Sequence, residues 1–251
     1  MTKLLENKVA LVTGAGSGIG QAIAYQLAAE GARVVVSDIN DRAGTETVAR
    51  MKDLGHAAIF VRADTAKPAD HEALVAAAVK AFGGLDIAVN NAGIGGPSAP
   101  VGEYPLDGWD KVIAVNLNGV FYGMRYQIPA MLPRGGGSVI NIASVLGQVG
   151  FRSSSAYVAA KHGVVGLTRS AALEYGPQKI RVNAVGPGFI RTPLLEKNLS
   201  PEAITHLEGM HALGRLGESQ EIAELVTWLA TERASFVTGA YYAADGGYLA
   251  Q

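Results

Sequence analysis

Cysteine is absent from all 251 residues. That excludes disulfides, a thiolate nucleophile and thiolate metal sites, and it suits a reducing compartment. Charge is scarce too: 17% of residues are charged, and the formal net charge is −1. A polyanion needs a basic surface, so neither nucleic acid nor an anionic membrane is expected as a partner. No apolar run in the chain approaches the roughly 20 residues of a membrane span. The opening MTKLLENKVALVTG puts charges where a secretory leader needs its apolar core, so a cytoplasmic address is expected. The histidines show no ligand spacing. No metal site is expected, and His206, His211 and the other histidines read as surface or lid positions.

What is plentiful is apolar residue, 49%, and glycine, 32 in all. At this length one α/β core is plausible, and the composition argues against disorder. The densest pattern lies between Lys8 and Glu30, KVALVTGAGSGIGQAIAYQLAAE. Val9 to Val12 is short enough for one buried strand. Gly14, Gly16, Gly18 and Gly20 follow, and then Ile19, Ile23 and Leu27 recur at helical spacing. A strand that breaks into glycines and restarts as a helix is a phosphate cradle. The turn brings backbone N–H groups close to the ligand, and the helix N-terminus adds partial positive charge. Asp38 closes the next apolar run, 20 positions after Gly18. An acid there accepts hydrogen bonds from the adenosine ribose and repels a 2′-phosphate, which points to NAD rather than NADP. Asp38 also reads as an ordinary turn residue.

Further along, apolar runs at Val34–Val36, Ala57–Val61 and Ile87–Val89 alternate with helical stretches at Arg42–Leu54 and Ala69–Phe82. Repeated βαβ units imply a parallel sheet with helices on both faces. Ligands bind such sheets at the strand ends. Asp64-Thr65 ends the third strand, and Asn90-Asn91-Ala92-Gly93 ends the fourth. The latter reads either as a plain turn or as a segment that holds a cofactor face and locks neighbouring strands. One long helix is expected over about Leu106 to Leu132, with Asn116 in an apolar setting that demands partners for its amide. The strand Ser138–Ile142 leads to Ala143-Ser144, and Tyr157 and Lys161 lie one helical turn apart on one face. Alone, that pair also describes a surface tyrosine packed on a lysine stem. Strand Arg181–Val185 runs into Gly186-Pro187-Gly188-Phe189-Ile190-Arg191-Thr192-Pro193. The last elements read as a helix over Gln220–Ala230 and a strand before Asp245-Gly246-Gly247.

Taken together these motifs resemble the short-chain dehydrogenase/reductase family, in its compact single-domain branch, nearly end to end. Thr13-Gly14 to Gly20 matches the TGxxxGxG turn, and Asn90 to Gly93 matches NNAG. Asn116, Ser144, Tyr157 and Lys161 match the catalytic tetrad, and Pro187-Gly188 with Thr192 matches the segment over the nicotinamide. The resemblance implies a Rossmann-type, doubly wound parallel sheet of seven strands with helices on both faces. It implies one domain over 1–251, with a substrate lid at about 193–214. It implies that Tyr157 is the general acid or base, that Lys161 lowers the phenol pKa and binds the nicotinamide ribose, and that Ser144 holds the substrate oxygen. Asn116 would hold a water joining Lys161 to solvent. NAD would meet Gly14, Ser17, Gly18, Ile19, Gly20, Asp38, Asp64, Thr65, Asn90, Ala92, Gly93, Tyr157, Lys161, Pro187, Gly188, Ile190 and Thr192. Arg42, four residues after Asp38, is the one feature that favours NADP.

The expected substrate is a small secondary alcohol or ketone with an apolar body. Leu194 and Leu195, with Leu199, Ile204, Leu207 and Met210, give the lid an apolar side. Val145 and Phe151, with Val149, would form the opposite wall beside Ser144 and Tyr157. Arg152, if turned inward, would instead favour a carboxylate. The alternatives are a 3-oxoacyl-(acyl-carrier-protein) reductase-like enzyme, a sugar or polyol dehydrogenase, and a non-catalytic dinucleotide sensor. Leu173, where such carrier-protein reductases tend to carry arginine, and Asp38 speak against the first. The resemblance also implies a homotetramer, and Val164, Leu167 and Ala171 recur on one helix side as a possible self-associating face.

Overall fold

The computed structural model describes residues 3–193, 195 and 200–250. Leu194 and Leu199, assigned to the lid, lie outside them. The elements β1 (Val9–Thr13), α1 (Gly18–Ala29), β2 (Arg33–Asp38), α2 (Asp41–Asp53), β3 (Ala58–Arg62), α3 (Pro68–Phe82) and β4 (Ile87–Asn90) alternate as expected. There follow α4 (Leu106–Ile113), α5 (Gly119–Met131), β5 (Gly137–Ile142), α6 (Ser155–Tyr175) and β6 (Ile180–Pro187). The chain continues through β7 (Ile190–Arg191), α7 (Pro201–Gly209), β8 (Gly217–Glu218), α8 (Ser219–Ala230) and β9 (Tyr241–Ala244). The main sheet has seven strands in the order β3-β2-β1-β4-β5-β6-β9, every pair parallel. The fold is the doubly wound Rossmann type.

Each strand feeds two cores because successive side chains point to opposite faces. From β1, Ala10 and Val12 join Ile23 and Leu27 of α1 and Val226 of α8. Val9 and Leu11 join Leu74 of α3, Met124 of α5 and Val164 of α6. Burial of each large aliphatic side chain contributes about 1.5–3 kcal/mol. Helix starts are locally specified: the Asn40 side chain accepts from Ala43 N at 3.1 Å, and Pro68 opens α3. Gly83 ends α3 in the left-handed region at φ 84°.

Two expectations need correction. The single helix over 106–132 is interrupted by a π turn at Ala114–Asn118. Such a turn inserts an extra residue into the hydrogen-bond ladder, and the inserted stretch carries Asn116. Of the face made by Val164, Leu167 and Ala171, Val164 and Ala171 are buried in the core with β5 and β6 residues, and Leu167 is half-buried against it. The large apolar side chains that do face outward on α4 and α5 are Leu106, Trp109 and Phe121.

Candidate active site

The strand ends of β1, β4, β5 and β6 open onto a cavity of about 950 Å³. At one end is the glycine turn. Gly14 and Gly18 take φ values of 63° and 54°, which side chains rarely tolerate. A Cβ on Gly20 would stand 2.2 Å from Gly14 O and 2.4 Å from Asn91 Nδ2. Only glycine lets α1 start this close. Asn91 closes the other side: its Nδ2 donates to Thr13 O at 2.9 Å and to Gly14 O at 3.1 Å. Ser17, the residue before α1, makes no side-chain cap bond. Its hydroxyl and the first N–H groups of α1 are donors suited to a phosphate.

Asp38 stands at the end of β2 and lines the same cavity. Its Oδ2 accepts from Gly16 N at 2.9 Å and its Oδ1 from Asn40 N at 2.9 Å. Arg42 lies on α2 with its side chain 88% exposed, paired with Glu46 at 3.1 Å. It does not line the cavity. Asp64 and Thr65 form the third corner. Buried His71 is bonded to Thr65 O at 3.0 Å from its Nε2. Burial pulls the His71 pKa below the ordinary histidine value.

The candidate catalytic residues gather where β5 meets α6. Ser144 has extended backbone angles, and its Oγ accepts from Leu146 N at 3.1 Å. Tyr157 and Lys161 project from one side of α6 into the cavity. Lys161 is 3% exposed; its Nζ donates to Ile142 O at 2.7 Å and sits 5.5 Å from the centre of the Tyr157 ring. Burial lowers the Lys161 pKa to about 8. Burial raises that of Tyr157, and a hydrogen bond with the Ser144 side chain pulls it partly back.

The remaining candidates divide. Ile19, Ala92, Gly93, Pro187, Gly188, Ile190, Thr192, Val145 and Leu195 all line the cavity. Asn90 does not. Its side chain turns to the opposite face of the sheet, bonded to Asn141 at 2.9 Å and to Gln127 at 3.1 and 2.8 Å. A Cβ on Gly123 would stand 2.4 Å from Asn90 Oδ1, so α5 is shaped to receive it. Strand alternation hands the cavity position to Asn91. Asn116 is fully buried, and its amide exchanges two 2.8 Å bonds with the main chain of Ile94. Those side-chain atoms shape the loop after β4, which is a different task from holding a water. Phe151 is displaced from the wall by Phe189, against which its ring packs at 5.8 Å. Val149 and Arg152 are exposed and do not line the cavity. His71 and His211, read as surface or lid positions, are 3% and 4% exposed. Sequence reasoning also passed over Ile94, Leu146 and Phe189, which add apolar lining. Among the described residues no cluster of metal-ligating side chains occurs, and no helix is long and apolar enough to cross a membrane.

A family model described as enoyl-(acyl carrier protein) reductase matches residues 14–249. Cyclohexanol dehydrogenase of Acinetobacter sp. is 49% identical over 99% of this chain and 97% of its own. The chain belongs to the short-chain dehydrogenase/reductase family. Cis-4-hydroxycyclohexanecarboxylate dehydrogenase of Sinomonas cyclohexanicum is 43% identical over 100% of both chains. A solved structure of a putative 2-deoxy-D-gluconate 3-dehydrogenase from Agrobacterium tumefaciens, with bound NADP, is 37% identical at a TM-score of 0.91, over 100% of this chain and 99% of its own. This short-chain dehydrogenase is thus an oxidoreductase acting on CH–OH groups with a nicotinamide cofactor. The donor set fits that group, with N–H groups and a hydroxyl for the pyrophosphate and a carboxylate for the ribose.

Proposed function

We propose that the enzyme oxidises alicyclic secondary alcohols, or reduces the matching ketones, with NAD(H). The observation that carries this reading is the apolar wall around the reactive residues. Val145, Leu146, Phe189 and Leu195 line the cavity with Ser144 and Tyr157, and among the described residues the only basic side chains on its wall are Lys161 and Lys111 of α4. The names of the two cyclohexane-ring dehydrogenases support the same substrate body. Asp38 supports NAD: an added 2′-phosphate would face its carboxylate, and Arg42 is engaged with Glu46.

When bound, the nicotinamide supplies the hydride acceptor in oxidation and the donor in reduction. Ser144 holds the substrate oxygen through its hydroxyl and offsets the charge that develops there. Tyr157 takes the alcohol proton in oxidation and returns one in reduction. Its raised pKa keeps the resting phenol protonated, which suits the acid role directly. The base role needs the phenolate to be favoured, and the nearby Lys161 ammonium supplies that bias. Lys161, its ammonium anchored on Ile142 O, would also donate to the nicotinamide ribose hydroxyls of a bound cofactor. A water beside Asn116 would use the main chain of the π turn, since the side chain is engaged with Ile94. The exposed Trp109 and Phe121 support self-association of α4 and α5 in a homotetramer, and the absence of cysteine suits a cytoplasmic setting.

The test is the rate of reduced-nicotinamide formation with NAD, and separately NADP, over cyclohexanol, polyols and hydroxyacyl thioesters. NAD-dependent turnover of cyclohexanol well above the others is the expected result. Turnover of polyols or thioesters alone, or strict NADP dependence, would overturn the substrate or cofactor reading respectively.

A further inference from the structure

His211 is nearly buried, and both ring nitrogens are spoken for by main chain. Phe189 N donates to its Nε2 at 3.1 Å, and its Nδ1 is 2.8 Å from Leu207 O. An amide can only donate and a carbonyl only accept, so the ring is neutral with its proton on Nδ1. The two partners belong to different parts of the molecule. Leu207 is on α7, in the lid region. Phe189 follows Pro187-Gly188 and lines the reactive cavity. The fit is tight on a third side, because a Cβ on Gly188 would stand 2.8 Å from Nε2. Aromatic contacts complete the seat: the His211 ring meets Phe189 edge-on at 5.9 Å and lies 5.7 Å from Tyr248.

An apolar side chain such as leucine at position 211 would supply burial without either hydrogen bond. What imidazole adds is a fixed link between the Phe189 peptide and α7. Phe189 is the only aromatic ring other than Tyr157 among the described residues lining the cavity. Its pose therefore limits what shape of alcohol body can lie beside Ser144 and Tyr157. We propose that His211 is a positioning residue that sets the pose of Phe189, and that Phe189, so held, selects cyclic over open-chain secondary alcohols. This rests on the function proposed above.

The test is a double-mutant cycle on the full chain with His211→Phe, Phe189→Leu and the double variant. kcat and KM are read for cyclohexanol and for 2-butanol, and the reduced cofactor's dissociation constant is read by its fluorescence. Each single variant is expected to lower kcat/KM for cyclohexanol roughly tenfold, mainly through KM, with 2-butanol changed about twofold or less. The double variant should be no worse than Phe189→Leu, because two residues acting through one contact are not additive. His211→Gln, which keeps both a donor and an acceptor, should recover most of the discrimination, and His211→Leu replaces His211→Phe in the cycle if that variant does not fold. Additive losses, or equal losses on both alcohols, would overturn the inference. If the parent oxidises neither alcohol, the functional reading has failed, and the cycle is read on cofactor affinity instead. Non-additivity there upholds the positioning role, and independence refutes it.

Discussion

The Tyr241 hydroxyl donates a 2.9 Å hydrogen bond to the main-chain oxygen of Ser144. Tyr241 opens β9 and pairs in register with Ala184, and its ring occupies the space a side chain on Gly186 would need: a Cβ there would lie 1.9 Å from the hydroxyl. The far strand of the sheet thereby fixes Ser144, the residue proposed to hold the substrate oxygen. Tyr241→Phe should cost about 1 kcal/mol of stability and lower kcat several-fold while leaving KM for the cofactor unchanged. Gly186→Ala should cost more, on the order of 1–3 kcal/mol, because the ring has to shift. Thermal melts and steady-state kinetics on both variants check this; equal kcat in all three proteins would contradict it.

Removing the Tyr157 hydroxyl tests the proton transfer directly. Tyr157→Phe should lower kcat by roughly 10²–10⁴ and leave cofactor affinity, measured by fluorescence titration, within a small factor. A variant with parental kcat would remove Tyr157 from the mechanism.

Asp38 bears on which dinucleotide is preferred. Asp38→Ser should raise kcat/KM for NADP relative to NAD by at least about tenfold, as a like-charge contact worth several kcal/mol is relieved. It should also cost about 1–2 kcal/mol of stability, since the carboxylate accepts from Gly16 N and Asn40 N. An unchanged cofactor ratio would mean that Asp38 caps the turn and does not select.

Lys161 makes a prediction about stability and pH. Its pKa falls from 10.5 in the unfolded chain to about 8 in the fold. Between those values the folded state has released a proton that the unfolded state still holds, so stability rises with pH there. Below about 8 the buried charge costs roughly 3 kcal/mol, partly offset by about 1 kcal/mol from the bond to Ile142 O. Lys161→Met should therefore be inactive yet more stable than the parent at neutral pH. That advantage should shrink as pH approaches 10.5. Urea titrations at several pH values read it, and a variant less stable at neutral pH would show that the Ile142 bond outweighs the burial.

Much of this was legible because parallel strands are buried on both faces and so read as apolar runs, as at Val9–Val12 and Val34–Val36. Tyr157 and Lys161 were legible because helical spacing alone puts them on one side. Asn90 and Asn91 were not separable, since which of two neighbours faces the cavity depends on strand register. Phe151 was chosen for the wall because it lies near Ser144 in sequence, whereas Phe189 lies in the loop after β6, the neighbour of β5. His211 carried no readable signal: its partner Phe189 lies 22 residues away, and only the packing of α7 brings them together. The π turn at Ala114–Asn118 is likewise tertiary, because a ladder with one extra residue looks helical in its apolar spacing.

The parallel sheet also governs when the site can exist during synthesis. No pair of its strands can be closed by a hairpin, so every pairing waits for a crossover to be completed. Such non-local pairings place a fold toward the slow end of the kinetic range. Ser144 and Tyr241 are 97 positions apart. A chain still on the ribosome would display Ser144, Tyr157 and Lys161 well before the strand that steadies Ser144 emerged. Catalytic competence should thus arrive in one late step as β9 docks on β6, and ribosome-bound chains arrested before Tyr241 should be silent.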